Sequence, residues 1–135
     1  MAAFRLDIVT PEKTFYSGEV ERLQAPGSEG SFGVLARHTP LLTALQVGSM
    51  TFAEEAGDQR QVAVSGGFVE VRRDGVAVLA ETAEFAEEID AARARQARDR
   101  AQERLGRRDD DEIDATRAEV SLMRALNRLN VIGDH

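Results

Sequence analysis

The chain has 135 residues, enough for one ordinary domain or a small domain with an appendage, and too few for a multi-domain enzyme. Its 17 basic and 24 acidic residues leave a net charge of −7, which argues against a nucleic-acid partner held by phosphate neutralisation. With no cysteine, disulfides, thiolate metal sites and cysteine nucleophiles are excluded, and 42% apolar with 30% charged residues is a globular composition.

At the N-terminus Arg5 and Asp7 interrupt the apolar stretch Met1 to Thr10, so it lacks the apolar core of a signal peptide. No apolar run reaches the ~18–20 residues needed to span a bilayer. The expectation is a soluble, unsecreted protein. Phe4, Leu6 and Ile8 alternate with Arg5 and Asp7 at the strand period. Turns are predicted at Pro11-Glu12, Ser17-Gly18, Pro26-Gly27 and Gly57-Asp58. The run from Gly27 to Gly33 is glycine-rich, but no Lys-Ser/Thr follows it and Glu29 would repel a phosphate, so it reads as a connection between strands. Gln61 to Val64 and Phe68 to Val71 are two short β runs separated by Ser65-Gly66-Gly67. Val76 to Leu79 is a third, entered through the hairpin signal Asp74-Gly75. Many short strands at this spacing predict an antiparallel β-sandwich or flattened barrel.

The composition then breaks. Nine of the 11 glycines, all three prolines and the single tyrosine precede residue 84, whereas ten of the sixteen arginines follow it. Strand and turn formers give way to Ala, Arg, Glu and Leu, which favour helix. The boundary is placed near residues 82–88, dividing the chain into modules 1–85 and 86–135, an α+β organisation. Glu87 to Leu105 contains no breaker, and Gly106 stands where a helix end accepts a left-handed residue. A second helix is predicted from about Glu112 to Val131, and the short connection between them makes an antiparallel α-helical hairpin. Its seam is mostly alanine: Ala94, Ala97, Ala101 and Leu105 face Ala118, Leu122, Ala125, Leu126 and Leu129. Alanine burial contributes little beside the ~1.5–3 kcal/mol of a buried Leu or Phe, so the hairpin should be marginally stable alone.

Chemistry-bearing constellations are few. A single internal histidine, His38, without cysteine makes no zinc site, and no serine sits in a nucleophile elbow. No P-loop occurs, and the carboxylates show no paired-acid spacing, so no catalytic residue is identified. Two octapeptides nearly repeat: Glu87 to Ala94 and Asp111 to Ala118, each with acids early and Asp three residues before Arg. A charged helix start accounts for that as well as a ligand motif does. Arg93 and Arg100 lie seven apart on one helix, as do Arg117 and Arg124 on the other, with Arg128 a turn on. Across a hairpin these would form a groove suited to phosphates, which guanidinium forks bind bidentately. On the residues alone the hairpin reads either as a free-standing sensor that binds a nucleotide in the arginine groove or as an inert contact of a structural adaptor.

Nearly the whole chain resembles the epsilon subunits of F-type ATP synthases. The resemblance rests on Leu6 to Pro11, Gly27-Ser28-Glu29-Gly30 followed by Gly33-Val34-Leu35, His38 to Leu42, Val64 to Val71, Val78 to Glu84, and the ending Arg124 to Leu129, in that order. It implies an N-terminal β-sandwich that binds the gamma subunit and rests on the membrane ring of c subunits, turning with the central stalk. It also implies a C-terminal hairpin that can fold down on the sandwich or extend along gamma toward the alpha and beta subunits, where it restrains ATP hydrolysis. Such a subunit is non-catalytic, couples proton flow to ATP synthesis, and is peripheral on the cytoplasmic face of the bacterial inner membrane without inserting into it. No cofactor is required, but ATP is implied as a regulatory ligand. The motif Ile89-Asp90-Ala91-Ala92-Arg93-Ala94 matches the family's nucleotide motif, with Glu84 as the supporting acid and Arg100, Arg124 and Arg128 as further arginines. Arg37 stands where the family commonly has glycine and Ser31 where some members carry a second acid, leaving Glu29 and His38 as the ring-facing candidates.

Overall fold

The computed structural model describes residues 2–36 and 39–133. The chain divides into two compact units, Met1–Phe85 and Ala86–His135. In chain order the first holds β1 (Phe4–Val9), β2 (Thr14–Gly27), β3 (Gly30–Leu35), β4 (Leu41–Ala44), β5 (Gly48–Glu54), β6 (Gln59–Arg72) and β7 (Gly75–Phe85). The second holds a 3-10 turn (Ala86–Glu88), α1 (Ala91–Leu105) and α2 (Ala115–Val131).

The strands run in the order β1-β7-β6-β5-β2-β3, and β1 pairs with β2 as well, which closes the sheet on itself as a flattened barrel. β4 lies off this path and pairs with β6. The pairings are antiparallel except β1 with β7, which is parallel from Arg5 opposite Gly75 to Val9 opposite Leu79. The β-sandwich expected from the sequence is thus what the first unit forms, with this one parallel pair within it.

Two long strands serve both layers. β2 pairs with β1 over its first half and with β5 and β3 over its second, with a register shift between Val20 and Arg22. β6 pairs with β5 from Gln59 to Val64 and with β4 from Phe68 to Val71. The two β runs predicted on either side of Ser65-Gly66-Gly67 are therefore one strand. It continues because Gly66 (φ +63°) and Gly67 (φ +116°) adopt left-handed backbone, bending the strand without ending it. A Cβ on Gly67 would lie 1.9 Å from the Leu79 carbonyl oxygen. Ser17-Gly18 and Pro26-Gly27 also lie within β2 and are not turns, whereas Pro11-Glu12 and Gly57-Asp58 do fall between strands.

Alternation places Leu6 and Ile8 fully inside, with Val20, Leu23, Met50, Phe52, Val62, Val64, Val69 and Val78 completing the core. Ser65 is the single buried polar residue among those described, and its hydroxyl bonds that of Thr82 across the β6/β7 pair.

The helices start later than predicted. Asp90 and Asp114 have extended backbone and accept hydrogen bonds from the Arg93 and Arg117 amides at 3.1 and 3.0 Å, so they are N-caps and the helices begin one residue after each. Glu87 and Glu88 belong to the 3-10 turn, and Glu112 to the connection, where its amide bonds the Asp110 carboxylate. The connection accordingly runs from Gly106 to Asp114. Gly106 ends α1 with right-handed backbone (φ −66°, ψ −16°), not the left-handed residue expected. In the seam Ala94, Ala101, Ala118, Ala125 and Leu129 are buried, but Leu126 is 45% exposed and points away from it.

Candidate functional site

The predicted nucleotide residues are distributed over both units. Glu84 lies in β7 opposite Ala63, within the first unit. Ile89 and Asp90 lead into α1, and Asp90 is occupied as its cap. The Asp-Arg spacing noted in both octapeptides is thus a side-chain-to-backbone bond, not an ion pair between side chains. Ala94 is buried in the seam, and its small volume lets the helices approach.

The arginines fall into two groups. With about 3.6 residues per turn, Arg93 and Arg100 lie on one side of α1, roughly a quarter-turn from Ala94 and Ala101. Arg117, Arg124 and Arg128 lie about a quarter-turn from Ala118 and Ala125 on α2. Because the helices run in opposite directions, these two flanks open to the same side of the hairpin. Arg104, not singled out in the sequence, falls on the same flank. Other arginines of this unit hold carboxylates: Arg98 with Asp99 at 3.0 Å, and in the connection Arg107 with Glu103 at 2.8 Å and Arg108 with Glu119 at 3.5 Å. Among the described residues the side chains of Arg93, Arg100, Arg104 and Arg117 make no such pair. Arg93 and Arg100 are exposed, while Arg124 and Arg128 are half-buried. The result is a flank of like charge with guanidinium forks left over, which is what a polyphosphate requires.

The ring-facing candidates are less informative. Glu29 is exposed in the two-residue turn Ser28-Glu29 joining β2 to β3. His38 lies outside the described residues.

A feature the sequence reading did not single out is an apolar area on the outer face of β4, β6 and β7. Leu42, Phe68 and Leu79 are 67, 54 and 53% exposed. Register brings them together, since Phe68 stands opposite both Ala44 and Leu79, and Leu42 opposite Glu70 two residues along β6. Strand alternation was the available signal, since Phe68 shares its face with Glu70 and opposes Val69 and Val71. Exposed apolar side chains gathered on one sheet face are a common feature of contact surfaces.

One polar cluster is built into the end of the first unit. The Tyr16 hydroxyl donates to Glu54 at 3.2 Å, and Arg60 pairs with the same carboxylate at 3.3 Å. Burial, and then the Glu54 charge and hydrogen bond, hold the Tyr16 pKa above the ordinary phenol value, with Arg60 opposing.

Comparison with known proteins matches residues 3–86 to the family model for the beta-sandwich domain of the ATP synthase delta/epsilon chain, and residues 87–133 to that for its long alpha-helix domain. The chain is 49% identical over 125 residues to the ATP synthase epsilon chain of Desulforamulus reducens, covering 93% of each. It is 47% identical over 133 residues to that of Moorella thermoacetica, covering 98% of each. Among solved structures, a chain of the Euglena gracilis mitochondrial ATP synthase OSCP/F1/c-ring assembly superposes with a TM-score of 0.81 at 24% identity, over 94% of this chain and 79% of that one. A chain of the Tetrahymena thermophila central stalk and c-ring assembly shares the fold at a TM-score of 0.53 and 18% identity, over 63% of this chain and 68% of that one. No helix among the described residues is long and apolar enough to cross a membrane.

Proposed function

This chain belongs to the ATP synthase delta/epsilon family as an epsilon chain, and we propose that it works as the non-catalytic rotor subunit of a bacterial F-type enzyme. In this reading the sandwich binds the gamma subunit and stands on the c ring, on the cytoplasmic side of the membrane. Rotation driven by proton flow is then passed to the catalytic alpha and beta subunits. The observation that carries it is the apolar area of Leu42, Phe68 and Leu79. A subunit fixed to a turning shaft needs a desolvated contact that does not slip, and these three side chains supply the centre of one. Glu29, in the exposed β2–β3 turn, and His38 are assigned to the polar contact with the ring.

The hairpin is assigned the regulatory part: restraint of ATP hydrolysis by reaching the alpha and beta subunits, relieved when ATP holds α1 and α2 together. The arginine flank supports this, because gathering Arg93 and Arg100 beside the arginines of α2 is unfavourable until an anion neutralises them, so a bound phosphate chain favours the closed hairpin by mass action. The test is co-purification of the recombinant chain with its own gamma subunit, with and without Phe68→Ser and Leu79→Ser. Stoichiometric binding that the double substitution abolishes is expected. Failure of the unsubstituted chain to bind gamma would refute the rotor reading.

A further inference from the structure

Strand ends normally fray, because their last residues have neighbours on one side only. Phe85 is the last residue of β7 and of the first unit, yet it is held by side chains from two other strands. The Phe15 ring of β2 lies 4.5 Å from its centroid, and Tyr16 meets it edge-on at 6.4 Å. The Arg60 guanidinium of β6 caps the ring at 4.0 Å. Arg60 is itself tethered to Glu54 at the end of β5, and Glu54 to the Tyr16 hydroxyl. Tyr16 then packs at 4.7 Å, tilted by 47°, against Phe52, which is only 1% exposed, so the chain of contacts ends in the core. Immediately beyond Phe85 the character reverses: the 3-10 turn Ala86–Glu88 has no buried residue, and Asp90 is already the cap of α1.

We propose that Arg60, laid on Phe85 and anchored through Glu54 and Tyr16, is a positioning residue that fixes where the rigid sandwich ends, so that motion of the helical unit is confined to residues 86–90. Two compact units joined by a short exposed segment move relative to one another by default. The length of that segment sets how freely. If β7 frayed back to Ala83, the connection would grow from five residues to eight, and the effective concentration of the hairpin at any fixed target would fall roughly two-fold, as the −3/2 power of length. Cation–π stacking suits this role because the plate-like guanidinium covers the ring while its edge remains available to Glu54. Lysine offers the charge without the plate. This inference goes beyond the rotor reading and does not depend on it, since both units and the connection belong to the free chain.

The test is hydrogen–deuterium exchange of the full chain, comparing the native protein with Arg60→Ala, Arg60→Lys and Phe85→Leu, the last of which keeps apolar burial but removes the ring. Exchange in the segment 82–88 is expected to accelerate at least ten-fold in all three, with β1, β5 and the centre of β6 unchanged. Unchanged exchange in 82–88 would overturn the proposal. So would a uniform acceleration throughout the sandwich, which would make the cluster ordinary core packing. Since no gamma subunit enters the experiment, its failure would leave the rotor reading where it stood.

Discussion

Asp90 is the residue on which the regulatory site and the architecture of the hairpin compete, and its substitution separates them. Its carboxylate sits 3.1 Å from the Arg93 amide, and Asp114 makes the equivalent 3.0 Å bond to Arg117 at the start of α2. Replacing either by Ala strands a helix N-terminal amide and should cost about 1 kcal/mol. The two caps lie at opposite ends of the hairpin, so the double substitution should cost about 2 kcal/mol by additivity. Asparagine keeps the accepting oxygen and loses only the charge, so Asp90→Asn should cost a few tenths of a kcal/mol. Among the described residues the regular helices are α1 and α2, so helical circular dichroism of the full chain follows this unit alone. Each Ala variant should lower its melting midpoint by on the order of 5 °C, and the Asn variant far less. Calorimetry with MgATP then reads the second role: if Asp90 acts as a cap, Asp90→Asn retains nucleotide affinity. An Asn variant as unstable as the Ala variant, or an Ala variant that melts like the parent, would refute the capping argument.

Gly67→Ala should leave little folded protein, because its Cβ would meet the Leu79 carbonyl at 1.9 Å in a backbone conformation alanine rarely adopts; urea melts should show a loss of more than ~3 kcal/mol. Phe68→Ser with Leu79→Ser should leave the thermal midpoint nearly unchanged, since both side chains are half exposed, while weakening gamma binding at least ten-fold in pull-down titrations. Arg93→Ala and Arg128→Ala should each weaken ATP binding measured by calorimetry by about ten-fold or more, the loss of a charge-assisted hydrogen bond; variants that bind like the parent would remove the phosphate groove. Tyr16 is the only tyrosine in a chain without tryptophan, so tyrosinate absorbance titrates that one residue. Its raised pKa means that its contribution to stability is complete below the unfolded value of ~10 and is lost as pH rises through the folded value, so alkaline unfolding should begin earlier in the native chain than in Tyr16→Phe.

The sandwich was legible because burial writes a period-two pattern that needs no partner to explain it. Leu6 and Ile8 could be placed inside from alternation alone. The errors fall where a residue has two uses. Gly66 and Gly67 read as a break between strands because glycine ends strands more often than it bends them, and only the pairing on both sides of the bend shows one continuous β6. Asp90 and Asp114 read as first-turn acids, although a residue that caps must itself stand outside the helix. The apolar face and the Arg60 cluster were hidden for another reason: each joins residues from strands far apart in sequence, and register is a tertiary fact.

The two units differ in what holds them, and that difference bears on which of them can act as a regulator. Inside the sandwich Phe52, Met50, Leu6, Ile8 and Leu23 are all but inaccessible, each worth ~1.5–3 kcal/mol relative to exposure. In the helical unit the buried side chains are four alanines, Leu129 and Val131. An alanine methyl contributes ~0.8 kcal/mol at most, so most of the seam offers proximity without much apolar area. Losing one Leu from the sandwich would leave a large core intact, whereas the helical unit stands within reach of perturbations of 1–3 kcal/mol. That is the scale of allosteric coupling free energies and of a few charge-assisted hydrogen bonds to phosphate. A ligand that held both helices would therefore decide whether they stay together, while the sandwich would remain folded in either case. Filling the seam, as in Ala101→Leu, should test this from the other side. If the substitution were accommodated and closed the hairpin without nucleotide, it would uncouple closure from ATP and leave gamma binding untouched. If closure by ATP persisted unchanged in such a stabilised hairpin, the thin seam would have no part in regulation.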